Sequence, residues 1–226
     1  MNVPDEDRGE WVNDPAFAGK IGVLIPCHKS AEEIARTVQS CMRHVRAEHI
    51  VVIDNANQPT SPDNTEAVVR AVDERVKYLY VPRGHKTNAL WAGLQELPKE
   101  CTYVMHIDDD TELPEHFVLD ESHFYDPLVS AVSYGITMYH SNDVERSVDF
   151  EFKLFSMWRG VQDALQTVWF CHGIIGIWRR DRFYELMFDH PFLPCVTAPP
   201  PPLLLLVPLP LLRGTTASLL LHYSSS

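Results

Sequence analysis

Four short apolar runs, separated by amphipathic segments, dominate the sequence between residues 21 and 107. The segments between them place apolar residues at helical spacing, whereas the runs themselves have the length and composition of buried strands. The runs are IGVLIP, HIVVID, VKYLYVP and TYVMHI. Strands that alternate with helices in this way build a sheet whose faces are covered by helices. The sequence therefore predicts an α/β fold with a mostly parallel central sheet.

The remaining elements follow from the same periodicities. Ser30 and Asn64 are predicted to be the N-caps of the first two helices, because short polar side chains can accept hydrogen bonds from free N–H groups there. Helices are predicted over residues 31–45, 64–74, 87–96 and 149–170, and further strands over residues 128–140 and 173–178. A last helix is predicted to follow the second of these strands and to end at Met187. On the long helix, aromatic residues recur at near-helical spacing, which favours core packing over a platform for a sugar. They are Phe152, Phe155, Trp158 and Trp169.

Changes in composition and periodicity divide the chain into three parts. Residues 1–20 are acidic, lack the apolar region of a signal peptide and are expected to be a flexible lead-in. Residues 21–194 carry the α/β pattern. Residues 195–226 are almost only Pro, Leu, Ser and Thr, with neither helical nor strand periodicity. We expect this tail to lie outside the ancestral domain and the sheet to be incomplete on its C-terminal side.

Composition excludes several classes of protein. A formal net charge of −12 argues against a nucleic-acid partner, because phosphate backbones are bound by clustered positive charge. The 5 cysteines include no CxxC pair, so neither a disulfide framework nor a zinc site is indicated, and a reducing, cytosol-facing location fits best. No apolar stretch reaches the ~20 residues that span a bilayer. The chain is therefore expected to have no membrane span.

The strongest chemical signal is the run Asp108-Asp109-Asp110-Thr111, which follows the fourth apolar strand directly. Ligands of open α/β sheets bind beyond the carboxyl ends of the strands. Carboxylates at that edge can hold Mg²⁺ or Mn²⁺ against a diphosphate, because both ions prefer hard oxygen ligands. The alternative is a solvated acidic turn, so the motif gains weight only from its neighbours.

Three other segments end at or near the same predicted edge. Pro26-Cys27-His28-Lys29 closes the first strand, where the first βα loop meets a nucleotide in such folds. Asp54 closes the second strand, where a carboxylate can bond a ribose or a base edge, although an ordinary turn cap is equally compatible. Arg83-Gly84-His85-Lys86 opens a helix with free N–H groups and a cation, which suits a phosphate.

Taken in order, these motifs resemble the processive family 2 glycosyltransferases of the hyaluronan, chitin and cellulose synthase type. The resemblance covers residues 21–194 and rests on four segments, IPCHK, VVIDNA, GHKTNAL and IDDDTELP. It implies a GT-A-type nucleotide-binding fold, a UDP-sugar donor, a carbohydrate acceptor and a Mn²⁺ or Mg²⁺ cofactor. Intact members of that group are membrane-embedded and act at the cytosolic face.

The resemblance also implies roles for individual residues. Pro26, His28 and Asp109 fall in the donor-binding motifs. Asp54 is expected to contact the uracil or ribose, Lys86 the nucleotide, Asp108 the sugar nucleotide and the metal, and Asp110 the metal. Cys171-His172-Gly173 resembles, in part, the loop that positions the acceptor sugar.

One family feature is missing from the sequence. The acidic pair that carries the general base, and the Gln-x-x-Arg-Trp segment beyond it, do not follow Pro194. Inverting transfer needs a base to take the proton of the acceptor hydroxyl. No catalytic residue is therefore assigned, and Asp189 is a weak substitute. A non-catalytic nucleotide-binding module remains open, as does sugar nucleotidyl transfer, although the first loop lacks the glycines which that reaction favours.

Overall fold

The computed structural model describes residues 14–139, 141–165 and 173–188, and the backbone of residues 213–223. These residues form one 8-stranded sheet with helices on both faces, in the strand order β3-β2-β1-β4-β7-β6-β8-β5. The strands are β1 Ile21–Cys27, β2 Ile50–Asn55, β3 Lys77–Val81, β4 Tyr103–Ile107, β5 Thr111–Glu112, β6 Val129–Met138, β7 Ile175–Arg179 and β8 Arg213–Tyr223. The helices are α1 Pro15–Ala18, α2 Ile34–Met42, α3 Thr65–Val72, α4 Lys86–Glu96, α5 Asp143–Ala164 and α6 Arg180–Phe188, with 3-10 turns at Ala47–His49 and Glu121–Phe124.

The parallel half of the sheet positions the site. Strands β3, β2, β1 and β4 are all parallel, and Cys27 lies beside Asp54, which in turn lies beside Tyr80. The carboxyl ends of these strands consequently meet at one edge. Strand β7 pairs antiparallel with both β4 and β6. The prediction of an α/β fold with a mostly parallel sheet is confirmed.

Each face of the parallel strands is covered by its own helical layer. Successive side chains of a strand point to opposite faces, so Ile25 packs towards α2 and α3 whereas Leu24 packs towards α4 and α6. Gly93 of α4 allows close approach, because a Cβ there would lie 2.6 Å from the Cδ1 atom of Ile53. Burying both faces explains why the strands read as continuous apolar runs.

Several boundaries and caps differ from the sequence prediction. Helix α2 begins at Ile34 with Glu33 at the N-cap position, so the prediction that Ser30 caps this helix is wrong. Asn64 occupies the N-cap position of α3 but makes no capping bond with its side chain; Asp63 accepts the N–H of Thr65 instead. The Ser30 hydroxyl donates to the Asp109 carboxylate instead of capping the helix.

The long helix also differs from its prediction in position and in orientation. Helix α5 spans Asp143–Ala164, six residues earlier than predicted, because Asn142 accepts the N–H of Glu145 and caps it. Phe152 packs against the core, but Phe155 is 51% exposed and Trp158 60% exposed. The prediction of core packing is therefore wrong for these two residues, and Trp169 lies outside the described residues.

The C-terminal segment contains an element that periodicity did not reveal. The backbone of Arg213–Tyr223 forms strand β8, which pairs with β6 and β5. The division of the chain at residue 195 stays a prediction. Among the described helices, none combines the length and the apolar character needed to cross a bilayer.

Candidate active site

A cavity of about 590 Å³ opens at the carboxyl ends of β1, β2 and β4. Four segments that are distant in sequence line it, namely the ends of these three strands and the start of α4. The lining residues are Pro26, Cys27, His28, Asn55, Ala56, Asn57, Gln58, Gly84, His85, Lys86, Asp108 and Asp109. The fold thus brings together five of the predicted donor-site residues, Pro26, His28, Lys86, Asp108 and Asp109.

The carboxylate of Asp108 is strongly affected by its surroundings. Burial raises its pKa to about 6, and the negative charges of Asp110 and Asp109 act in the same direction, while the Lys86 ammonium opposes them. Its backbone is fixed because its N–H donates to the carbonyl of Ile174, 2.9 Å away. A nearby cation stabilises the ionised form of a partly desolvated carboxylate of this kind.

Asp109 is held from the opposite side by the first βα loop. The hydroxyl of Ser30 donates to its carboxylate, and the hydroxyl of Thr37 donates to its backbone carbonyl at 2.6 Å. Ser30 is itself fixed because it accepts the N–H of His28 at 3.2 Å. Burial raises the pKa of Asp109, and the bond from Ser30 offsets part of that rise. This network fixes the direction of the middle aspartate.

Asp110 is the least constrained of the three. It does not line the cavity, and its carboxylate makes no hydrogen bond with the other described residues. Within those residues, no three His, Cys, Asp or Glu side chains converge as a ready metal site. Mg²⁺ and Mn²⁺ sites of nucleotide enzymes commonly use one or two carboxylates and take the other ligands from phosphates and water. Asp108 and Asp110 fit that donor set.

Lys86 links the donor edge to the start of β7. Its ammonium donates to the Asp108 carboxylate and, at 2.8 Å, to the carbonyl of Gly173. Gly173 belongs to the predicted acceptor loop, whereas Cys171 and His172 lie outside the described residues. Asp189 also lies outside them. The cation thus joins the acidic run to the one described residue of that loop.

The loop before α4 is shaped for close approach. The N–H of Gly84 donates to Oδ1 of Asn57 at 2.7 Å, and a Cβ on Gly84 would lie 2.9 Å from the Asn57 amide nitrogen. His85 adopts φ 136° and its ring accepts the N–H of Thr87, which starts the helix. A non-glycine residue at positive φ is strained, and such strain concentrates at binding sites.

His28 and Asp54 differ in their relation to the cavity. The Nδ1–H of exposed His28 donates to the carbonyl of Asn55 at 2.9 Å, and its Nε2 has no hydrogen-bond partner among the described residues. Asp54 does not line the cavity. Its side chain is fully buried, and one oxygen accepts hydrogen bonds from Tyr78 at 2.8 Å and Ser61 at 2.5 Å. Its other oxygen has no hydrogen-bond partner among the described residues.

Sequence reasoning missed part of the site. Asn57 and Gln58 follow β2 by a few residues and line the cavity with amide groups, while Ser30 and Thr37 secure Asp109. The polar run after the second strand was a usable signal for the two amides. No local pattern pairs Ser30 with a carboxylate 79 residues away, because that contact depends on β1 lying beside β4.

The chain matches a known protein family over most of its length. The model for "Glycosyl transferase family 2" matches residues 22–184, well over half of the chain. The chain belongs to glycosyl transferase family 2. For this family 2 member, no curated protein matches significantly in sequence.

Solved structures support the same fold for the family 2 domain. Glucosyl-3-phosphoglycerate synthase from Mycobacterium tuberculosis, in complex with Mn²⁺, UDP-glucose and phosphoglyceric acid, matches with TM-score 0.55 and 16% identity over 93% of this chain and 74% of that chain. A mycobacterial protein matches with TM-score 0.52 and 17% identity, over 93% of this chain and 69% of that chain.

A third solved structure is matched over only part of its length. The same synthase in complex with Mn²⁺, UDP and phosphoglyceric acid matches with TM-score 0.45 and 20% identity, over 74% of this chain and 58% of that chain. The family 2 chain therefore spans less than two thirds of that structure's length. At these identities the likenesses establish the fold alone.

Proposed function

We propose that the cavity binds the donor of a glycosyl transfer reaction, a UDP-sugar, together with Mn²⁺ or Mg²⁺. The observation that carries the proposal is the meeting of Asp108, Lys86 and the N-terminus of α4 at one end of a cavity whose other lining residues include amide side chains. Family membership supports a sugar nucleotide as the ligand, and the mycobacterial synthase of the same fold is a complex with Mn²⁺ and UDP-glucose.

Each part of the cavity suits one part of such a donor. The N–H groups at the start of α4 and the Lys86 ammonium favour a diphosphate. Asp108 and Asp110 would hold the metal, which when bound neutralises phosphate charge and stabilises the leaving nucleoside diphosphate. With Oδ1 of Asn57 accepting from Gly84, its Nδ2 remains a donor that can serve a carbonyl oxygen of a pyrimidine.

Lys86 has two alternative sets of partners in this proposal: the protein groups that it bonds now, and the diphosphate of the donor. Its ammonium donates to the Asp108 carboxylate and to the Gly173 carbonyl. A diphosphate that enters offers Lys86 a stronger anionic partner, and a divalent cation can then take over the carboxylate. Binding of the nucleotide and binding of the metal should therefore each strengthen the other.

The proposal includes the synthesis of a polysaccharide, and this part of it rests on the sequence motifs. Donor binding and transfer are separable, because transfer also needs a base for the acceptor hydroxyl. If the chain binds the donor without transferring the sugar, UDP will raise its melting temperature, but the chain will release no UDP from a UDP-sugar. Release of pyrophosphate from UTP and a sugar phosphate would instead favour nucleotidyl transfer.

The direct test of the ligand class is a panel of nucleotides. We expect UDP with Mn²⁺ to raise the melting temperature of the chain more than ADP or GDP with Mn²⁺, because the amide-lined cavity has to match one base edge. A ligand present at 100 times its Kd adds about 2.7 kcal/mol to the free energy of unfolding. Equal shifts with all three nucleotides would contradict a uridine site.

A further inference from the structure

Helix α5 is inverted relative to an ordinary surface helix. Its buried residues, Asp149, Arg159 and Gln162, are all polar, while one stripe of its exposed surface is apolar. The exposed apolar side chains that share one face, here named the α5 stripe, are Phe150, Leu154, Met157, Trp158, Val161 and Leu165. Scattered exposed apolar residues are normal, but a continuous stripe of this kind marks a surface that contacts something else.

The orientation of the helix is fixed from within. Asp149 accepts the backbone N–H of Met138 on β6 at 2.9 Å, and Phe152 packs against the hydrophobic core. Arg159, only 2% exposed, lies on the same side. Rotating α5 to bury its stripe would break the buried hydrogen bond between Asp149 and β6, which is costly to lose. The stripe therefore faces outward in the folded chain.

The spacing of the stripe is symmetric. From Phe150 to Leu165 the successive intervals are four, three, one, three and four residues, so the pattern reads the same in both directions. At 100° per residue all six side chains lie within a sector about 100° wide. Reversing the helix superposes Phe150 on Leu165, Leu154 on Val161 and Met157 on Trp158. In two-fold antiparallel packing of identical helices one patch faces its own copy, and this symmetric spacing suits that arrangement.

Charge and area are compatible with the same arrangement. No charged residue lies within the stripe. In an antiparallel pair, Glu151 would lie level with Ala164 and Lys153 level with Gln162, so like charges do not oppose each other. The exposed parts of the six side chains amount to roughly 600 Å² per copy, or about 1,200 Å² for two, the lower end of the range for specific stable interfaces.

A lipid surface fits less well. Helices that lie on membranes carry Lys and Arg on their polar face, whereas α5 has five acidic residues against three basic ones, in a chain of net charge −12.

We propose that the α5 stripe is a self-association surface on which two copies of this chain pack α5 against α5 in antiparallel orientation, with Trp158 next to its counterpart at the two-fold axis.

The first experiment measures the mass of the full chain by light scattering and sedimentation at increasing protein concentration. We expect twice 25.8 kDa for the wild type and a return to 25.8 kDa in Trp158→Glu, which places a charge at the centre of the stripe. Phe155→Glu is the matched control. It changes an aromatic residue of similar exposure on the same helix, about 110° from the centre of the stripe, and should leave the dimer intact.

The second experiment tests the antiparallel geometry and does not rely on a disruptive variant. Met157 lies beside the axis, so Met157→Cys should form a disulfide-linked dimer on mild oxidation, while Phe155→Cys and the unchanged chain should not. A monomer at every concentration, equal losses in both Glu variants, or no linkage through residue 157 would overturn the proposal. So would a monomer that binds phosphatidylserine-containing vesicles through the stripe.

Discussion

The hydroxyl of Ser30 donates a hydrogen bond to the carboxylate of Asp109, which joins the first βα loop to the acidic run 79 residues later in the chain. Thr37 extends the link by donating to the carbonyl of the same aspartate. The acidic run is therefore positioned by the start of the domain and not only by the strand that precedes it. A change in the first loop should accordingly alter the position of the acidic run that lines the cavity.

Ser30→Ala removes this link. Losing a hydrogen bond to a charged group in a mostly buried position costs about 1.5–3 kcal/mol of folding free energy. Because Asp109 also loses its fixed direction, we expect metal-dependent UDP binding to weaken as well, which calorimetry can measure. Ser40→Ala is the control, since Ser40 is a buried serine of α2 that bonds Thr37 and Leu113 but not Asp109. It should lower stability without a change in UDP affinity.

Asp108 should titrate well above an ordinary aspartate in the metal-free chain. Burial raises its pKa to about 6, and the Lys86 ammonium lowers it relative to what burial alone would give. Carbon NMR of the carboxyl group should therefore show a midpoint near pH 6. In Lys86→Met the midpoint should move higher, because the stabilising cation is gone. A midpoint near 4 in both proteins would show that the carboxylate is solvated.

Tyr78→Phe tests the buried carboxylate behind the cavity. Its hydroxyl donates to Asp54, whose side chain is fully buried, so its removal leaves Ser61 as the remaining described donor. We expect a loss of about 1.5–3 kcal/mol in the free energy of unfolding, measured by urea denaturation. Tyr80→Phe, on the same strand, removes a hydroxyl that bonds only backbone carbonyls at the surface. That change should cost clearly less.

Two helical glycines should respond oppositely to alanine. In Gly93→Ala the new methyl group would meet Ile53 at 2.6 Å and Leu24 at 3.0 Å, so overpacking should cost about 1–3 kcal/mol. Adding Ile53→Val removes the Cδ1 atom in the way and should restore part of the loss. In Gly160→Ala the methyl group meets nothing within 4 Å, and the exposed helix should gain about 0.5–1 kcal/mol. Denaturation midpoints of the three variants decide the matter.

The sequence was sufficient for the parallel strands and for the edge at which the site lies. Buried strands and their polar ends leave local signals, so β1 to β4 and the acidic run at Asp108 were predictable. The orientation of α5 was not, because aromatic spacing is the same whether a stripe faces the core or solvent. Here buried Asp149 fixes the orientation through its tertiary hydrogen bond to Met138 of β6.

The site shows the same division between local and tertiary information. Lys86 and Asp108 were both predicted at the donor edge, and their ion pair joins the start of α4, which packs on β1 and β2, to the end of β4. Asp54 was expected in the cavity because it ends a strand, yet its carboxylate turns towards Tyr78 and Ser61. A strand end fixes where a side chain starts, whereas its partners fix where the functional group points.

The measurement that tests the central claim most directly is calorimetric titration of UDP into the full chain, with and without Mn²⁺, beside Asp110→Ala. Asp110 makes no hydrogen bond with the described residues, so its replacement should leave the fold and its melting temperature unchanged. The account predicts that Mn²⁺ strengthens UDP binding to the wild type and has no such effect in the variant. A folded wild-type chain that does not bind UDP, or an Asp110→Ala variant that keeps the full effect of Mn²⁺, would contradict it.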